Sequence, residues 1–261
     1  MQKSISFKNA NIAFSDQGKG TAVVLIHGFL ENSTMWNFFV PELAKKNRVI
    51  TIDLLGHGKT DCLGYVHSMA LFAEVLDAVL KYLKIRKYIL VGHSLGGYIS
   101  LTNAKMNPTK IKGLCLLNST SEQDSEERKK IRNRANKMAQ NNFENMVNMS
   151  ISNLFNPENS ATFKKEIDVV KKQALQTSVQ GYIAANEGMK LRANTNHVLK
   201  DNNFKKLIII GKKDPVLDVK KSLEEAKKTN SEIVVLPDGH MSHIENKVEL
   251  IAILKNFLKQ C

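Results

Sequence analysis

The chain has 261 residues, 43% of them hydrophobic, enough to bury the core of one large α/β domain or two small ones. Its formal charge of +13 is carried mostly by lysine, with only six arginines, and the lysines fall in scattered pairs (Lys45-Lys46, Lys129-Lys130, Lys171-Lys172, Lys212-Lys213, Lys227-Lys228). A nucleic-acid interface is not expected from this pattern, because arginine is the better bidentate phosphate reader and no basic block forms. No run reaches the roughly eighteen apolar residues of a membrane span.

The opening stretch, MQKSISFKNANIAF, lacks the basic segment and apolar run of a secretory signal. Three cysteines, Cys62, Cys115 and Cys261, cannot all pair with one another, and a reducing, cytoplasmic setting is expected. Short apolar runs then predict strands at AVVLIHG from Ala22, RVITIDL from Arg48, YILVG from Tyr88, IKGLCLLN from Ile111, KLIIIG from Lys206 and EIVVLP from Glu232. Helical spacing links several of them. Leu71, Val75, Leu76, Val79, Leu80 and Leu83 share one face of 67–84, and Ile244, Val248, Ile251, Leu254 and Leu258 share one face of 243–258. The alternation predicts an α/β fold with a mostly parallel, doubly wound sheet covered on both faces. From 119 to 199 no strong strand appears. Phe143, Met146, Val147, Ile151 and Leu154 recur at helical spacing there, with Pro157 closing the pattern. The expected organisation is a core of 1–118 and 200–261 interrupted by a helical cap, 119–199.

The segment YILVGHSLGGYIS runs a short strand into Ser94, with Gly92 two residues before and Gly96 two after. A serine projected from the carboxyl end of a parallel strand needs a sharp, strained turn, and side chains at those two positions would collide with the backbone. The helix that follows points its free N–H groups at the same place, which suits a developing negative charge. A serine hydroxyl needs a base, and the base needs an orienting acid. Asp214, just past the strand KLIIIG, is the acid candidate. Asp218 and Asp238 are alternatives, with Asp218 expected to cap the next helix, whereas Asn118 is neutral and cannot stabilise an imidazolium. His240, after the turn Pro-Asp-Gly, is the base candidate over His243, which is expected to open the final helix. His27, His57 and His93 are expected to make loop hydrogen bonds beside the site. The backbone N–H groups of Phe29 and Leu95 are the candidate oxyanion donors. No His/Cys cluster has metal-ligand spacing and no glycine-rich phosphate loop is present, so neither a metal nor a cofactor is expected.

These segments, HGFLENSTMW, DLLGHGKT, GHSLGG, GKKDPV and GHMSHIEN in that order, resemble the α/β-hydrolase superfamily over essentially the whole chain, with cap-bearing serine esterases the nearest group. In that family a glutamate follows the histidine by five positions, as Glu245 follows His240. Leu55 and Thr60 stand where the family often has Pro and Ser. Lyases of menaquinone synthesis share the layout but usually carry Arg where Tyr98 stands; with arginine so scarce, the dianionic substrate of those lyases is expected to lack a partner here. Dehalogenases and epoxide hydrolases of this fold use an aspartate nucleophile, unlike Ser94. The resemblance implies hydrolysis of small or medium acyl esters, a small-molecule substrate, through a Ser94–His240–Asp214 triad and an acyl-enzyme. Carbon–carbon bond hydrolysis, lyase or perhydrolase chemistry on the same triad, and a receptor of the same fold, are the alternatives. Phe143, Met146 and Val147 are expected to help roof an apolar acyl pocket.

Overall fold

The structure is a computed structural model and describes residues 2–261. Eight strands form one sheet: β1 (Gln2–Phe7), β2 (Ala10–Gln17), β3 (Thr21–Ile26), β4 (Asn47–Ile52), β5 (Tyr88–His93), β6 (Ile111–Leu117), β7 (Lys205–Gly211) and β8 (Glu232–Leu236). Their spatial order is β1-β2-β4-β3-β5-β6-β7-β8. The pairs from β4 through β8 are parallel, and β1 and β2 run antiparallel to their neighbours.

Alternate residues of each central strand enter different clusters. Val24, Ile26, Ile50, Leu90 and Leu116 pack on one face with the helices Met69–Tyr82 and Leu95–Met106. Val23, Leu25, Val49, Val91 and Leu117 pack on the other with Trp36, Leu43 and the helix Lys247–Gln260. This two-way division is the period-2 geometry of a strand buried on both sides, and it is the doubly wound arrangement expected from the sequence. β3 buries Val23, Val24, Leu25 and Ile26 completely. At about 1.5–3 kcal/mol per side chain, that burial holds the loop beyond Ile26 in fixed register.

Two elements depart from the expected ones. The hairpin β1–β2 has no clear signal in its sequence. Lys8 and Asn9 form its two-residue turn with φ of 49° and 67°, between the paired residues Phe7 and Ala10. That left-handed turn is the type that matches hairpin twist. The helix expected over 243–258 is two helices, Ser242–Glu245 and Lys247–Gln260, divided at Asn246 with φ −131° and ψ 35°.

Between β6 and β7 lie five α-helices: Glu126–Asn141, Phe143–Ser152, Lys164–Ala174, Val179–Lys190 and Asn196–Lys200. Ser125 and Ser178 accept the free amides of Arg128 and Gly181 and so start the first and fourth. Pro157 opens a 3-10 turn, Pro157–Asn159, after the second helix has already ended at Ser152. Ala139, Met146, Val147, Ile151, Phe155, Val170 and Tyr182 form a third apolar cluster, which also takes in Leu30 and Met241. The insertion is thereby fastened to the loops after β3 and β8. Its last helix packs differently, since Val198 and Leu199 join the cluster under the sheet.

Candidate active site

Ser94 occupies the one-residue break between β5 and the helix Leu95–Met106, with φ 49° and ψ −113°. A non-glycine residue held there costs about 1–3 kcal/mol. Its neighbours enforce it: the Ser94 N–H donates to the Leu117 carbonyl (2.9 Å), and the Ser119 hydroxyl donates to the Ser94 carbonyl (2.7 Å). A Cβ on Gly96 would collide with the carbonyl oxygen of Ile26, and one on Gly92 with that of Gly96. The obstacles are backbone atoms of packed elements and cannot swing aside. Gly96→Val is therefore expected to give little folded protein, or folded protein with the elbow displaced. Expression and thermal melting of the variant check this, and a wild-type melting temperature with wild-type activity would refute a tight turn.

Three strand ends bring the polar groups together. Asp214 follows β7, His240 follows β8, and Ser94 follows β5. His240 Nε2 lies 3.0 Å from Ser94 Oγ, and His240 Nδ1 lies 2.8 Å from Asp214 Oδ2. Asp214 is fully buried and also accepts from the Val216 and Leu217 amides (2.7 and 3.0 Å) and from Asn118 Nδ2 (3.0 Å). Burial pushes the Asp214 carboxyl up, but the His240 ring and these donors outweigh it and hold the pKa below the usual range. Asp214 is thus a carboxylate, so His240 Nδ1 carries the proton and Nε2 is left to accept from the serine hydroxyl. Of the alternatives, Asp218 caps the helix Val219–Thr229, and Asp238 ties Asn156, Asn159 and Asn246 together. Glu245 accepts from the Gly239 and Asn156 amides, which fixes the His240 loop to the insertion.

Behind His240 lies a group that sequence reasoning places only loosely. His93 Nδ1 is 2.7 Å from Glu31 Oε2 and Nε2 is 3.0 Å from the His240 carbonyl. Both ring nitrogens face acceptors, so His93 satisfies both only as an imidazolium. Burial opposes that charge, but Glu31 and the carbonyl raise the His93 pKa above its ordinary value. Burial likewise opposes the Glu31 charge, and His93 overrides it, lowering Glu31 to about 2. His243 sits 3.6 Å from Glu31 Oε1 and is lowered by burial to about 4, hence neutral. Glu31, His93 and His243 bring ligand atoms within 4.8 Å of one another. This triplet does not suit a cation, because His93 has both nitrogens committed as donors. His27 accepts from the Leu54 amide and His57 bonds the Leu55 carbonyl, both within loops.

Phe29 lies in the loop beyond β3, and Leu95 is the first residue of the helix after β5. β3 and β5 are neighbours with Ile26 opposite Gly92, so both amides belong to adjacent strand ends. The Leu95 N–H is one of the groups a helix start leaves without an intrahelical partner.

Ser94 and His240 open into a cavity of about 410 Å³. Phe29, Tyr98 and Val216 line it from the sheet side, and Arg128, Ile131, Ile151, Leu154, Tyr182 and Met189 from the insertion. Phe143, Met146 and Val147 do not line it. Met146 and Val147 are buried in the insertion's own cluster and Phe143 packs edge-on against Tyr182. The helical stripe reads correctly as apolar, but it faces neighbouring helices, and only its later residues Ile151 and Leu154 reach the cavity. Scarce as they are in the sequence, arginines reach this site. Arg128 and Arg132 line the cavity, and Arg192 stacks 4.0 Å over the Tyr98 ring, so three of the six arginines gather here. Composition counts arginines without placing them, whereas the i, i+4 spacing of 128 and 132 puts two on one helical face.

The comparisons agree with this fold. The family model described as the alpha/beta hydrolase fold matches residues 21–247. An uncharacterized protein of Mycobacterium tuberculosis is 39% identical over 107 residues, which is 41% of this chain and 31% of that protein. A pimeloyl-[acyl-carrier protein] methyl ester esterase of Methylococcus capsulatus is 39% identical over 103 residues, 40% of this chain and 39% of the esterase. The match with such curated relatives therefore spans well under half of their length. A thermophilic esterase from Thermogutta terrifontis, solved with malate bound, superimposes with a TM-score of 0.93 at 25% identity, over 100% of this chain and 98% of that one. With the fold matched from end to end and the family pattern covering most of its residues, this chain belongs to the α/β-hydrolase fold family.

Proposed function

We propose that the chain is a serine hydrolase of carboxylic esters. The observation that carries this reading is the unbroken chain Ser94 Oγ–His240–Asp214, with links of 3.0 and 2.8 Å, on a strained elbow at the mouth of a cavity. Ser94 Oγ attacks the ester carbonyl while His240 Nε2 takes its proton and Asp214 stabilises the resulting imidazolium. The N–H groups of Phe29 and Leu95 receive the oxyanion. His240 then protonates the departing alcohol, and a water activated by the same ring cleaves the acyl-enzyme. Gly92 and Gly96 hold the elbow, and the helical insertion serves as the cap. Esterases among the similar proteins fit this chemistry. No step needs a metal or cofactor.

A cavity of this size with Ile151, Leu154, Met189 and Val216 in its wall suits small to medium acyl groups. The reading extends to a reducing, cytoplasmic setting, which fits the free thiols of Cys62, Cys115 and Cys261. Among the described residues no helix is long and apolar enough to cross a membrane.

A panel of nitrophenyl esters from acetate to octanoate tests the proposal. Measurable kcat on any member separates an enzyme from a receptor, and no turnover across the panel would count against ester hydrolysis. Leu154→Gln and Ile131→Gln are expected to lower the hexanoate-to-acetate ratio of kcat/KM by about fourfold for each acyl methylene left without an apolar neighbour. An unchanged ratio in both folded variants would remove the insertion from the acyl site.

A further inference from the structure

The cavity beside Ser94 holds a guanidinium that the protein itself does not neutralise. Of the carboxylates nearby, Glu31 lines the cavity but is held by His93 and the Gly28 amide, and Asp124, just behind the arginines, has both of its oxygens taken. Oδ2 accepts from Arg132 Nε and Oδ1 from Arg192 Nη1, each at 2.6 Å. Arg132 spends a further N–H on Asn186 Oδ1 (2.9 Å), and Arg192 donates to the Glu122 and Met189 carbonyls. Glu122 accepts from the side chains of Asn194 and Asn196, and Glu187 from those of Lys190 and Asn136. Arg128 is left over. It is partly buried in the cavity wall, and among the described residues no carboxylate pairs with it and no side chain accepts from its guanidinium. Three arginines thus share one carboxylate. Burial and the charge of Arg132 both lower the Arg128 pKa, the mark of a cation placed where it is poorly compensated.

Such a placement is unfavourable until an anion arrives. A guanidinium presents two parallel N–H donors that match a carboxylate. Because Arg128, Ser94 and His240 line the same cavity, one small molecule can reach all three.

We propose that Arg128 forms an anion subsite and that the substrate is a carboxylic ester bearing a second, free carboxylate, a half-ester of a short dicarboxylic acid. This rests on the ester-hydrolase reading and narrows its substrate class. Water adds across the acyl–oxygen bond: Ser94 takes the acyl group, the alcohol leaves with the proton from His240, and hydrolysis of the acyl-enzyme releases the dicarboxylate. The distal carboxylate stays on Arg128 throughout.

The test compares monomethyl succinate, glutarate and adipate with methyl butyrate, valerate and hexanoate, matched for acyl length. Wild type is expected to favour at least one half-ester over its neutral counterpart by about tenfold or more in kcat/KM, and Arg128→Gln to reduce that preference by about 10- to 100-fold, the worth of a charged hydrogen bond. Arg128→Lys is expected to keep part of it, as a point charge without the fork. A second arm needs no turnover. Titration calorimetry of the Ser94→Ala protein with succinate, glutarate and adipate, against the corresponding monoamides of butyric, valeric and hexanoic acid, reads the subsite alone. Diacid binding that Arg128→Gln abolishes supports the subsite even if every ester proves inert, in which case only the hydrolase reading fails. Wild type that cleaves neutral esters without preference for any half-ester, or diacid binding unaltered by Arg128→Gln, overturns the inference and leaves ester hydrolysis standing. The wild-type comparison decides the matter if the variant does not fold.

Discussion

Ser94→Ala is expected to fold as the wild type does and to lose ester turnover by about 10⁴-fold or more, as removal of a triad serine does elsewhere. Folding is spared for a structural reason. Ser94 precedes the helix Leu95–Met106 but its side chain makes no capping bond, and its hydroxyl has His240 as its hydrogen-bond partner. The strained φ of 49° is imposed by the surrounding backbone and costs alanine about as much as serine. The loss therefore falls on chemistry. Thermal melting with steady-state and burst kinetics checks both halves, and a variant that keeps a tenth of wild-type activity would remove Ser94 from the nucleophile's role.

His240→Ala is expected to cost about as much as the loss of Ser94, near 10⁴-fold or beyond, because nucleophile and base act as a unit. His243→Ala is expected to cost far less. The two rings lie three residues apart and both are nearly buried, so exposure does not distinguish them. Their partners do. His240 bridges Ser94 and Asp214, whereas His243 stands 3.6 Å from Glu31 and is neutral through burial. Removing His240 also takes one of four hydrogen-bond partners from a fully buried Asp214, so some loss of stability accompanies the loss of rate. Parallel kinetics and melting curves of the two variants give the ranking. A larger activity loss in His243→Ala would mean that the loop after β8 has been misassigned.

The parallel sheet and the family are legible because their signals are local and strong. Each central strand is a continuous apolar run, and Gly92 and Gly96 bracket Ser94 within five residues. Chain order picks out Ser94, Asp214 and His240 separately, and the structure sets them within hydrogen-bond distance. The hairpin β1–β2 is not legible because β1 is an edge strand, largely exposed, and its turn is Lys8-Asn9 without the glycine that usually announces such a turn. The break at Asn246 escapes because Ile244 and Val248 keep helical spacing across it. Asn118, a neutral amide and so no acid, nonetheless donates to Asp214, a supporting role that an Asn at a strand end can suggest but not establish. Glu31 carries no signal. Its partner His93 is 62 residues away, and only the adjacency of β3 and β5 brings them together. Arg128 is hidden in the same way, since a count of arginines carries no position.

The order of the strands also sets when the site can exist. Ser94 sits on a central strand that pairs with β3 and β6, while its partner His240 lies 146 residues later, beyond the outermost strand β8. During synthesis the elbow can be complete while the serine is still chemically inert. Activation on the proposed mechanism waits for β7, whose pairing with β6 is the longest-range in the sheet, and then for β8 to dock beside it. On that mechanism, hydrolytic competence is therefore a late event in the maturation of the chain.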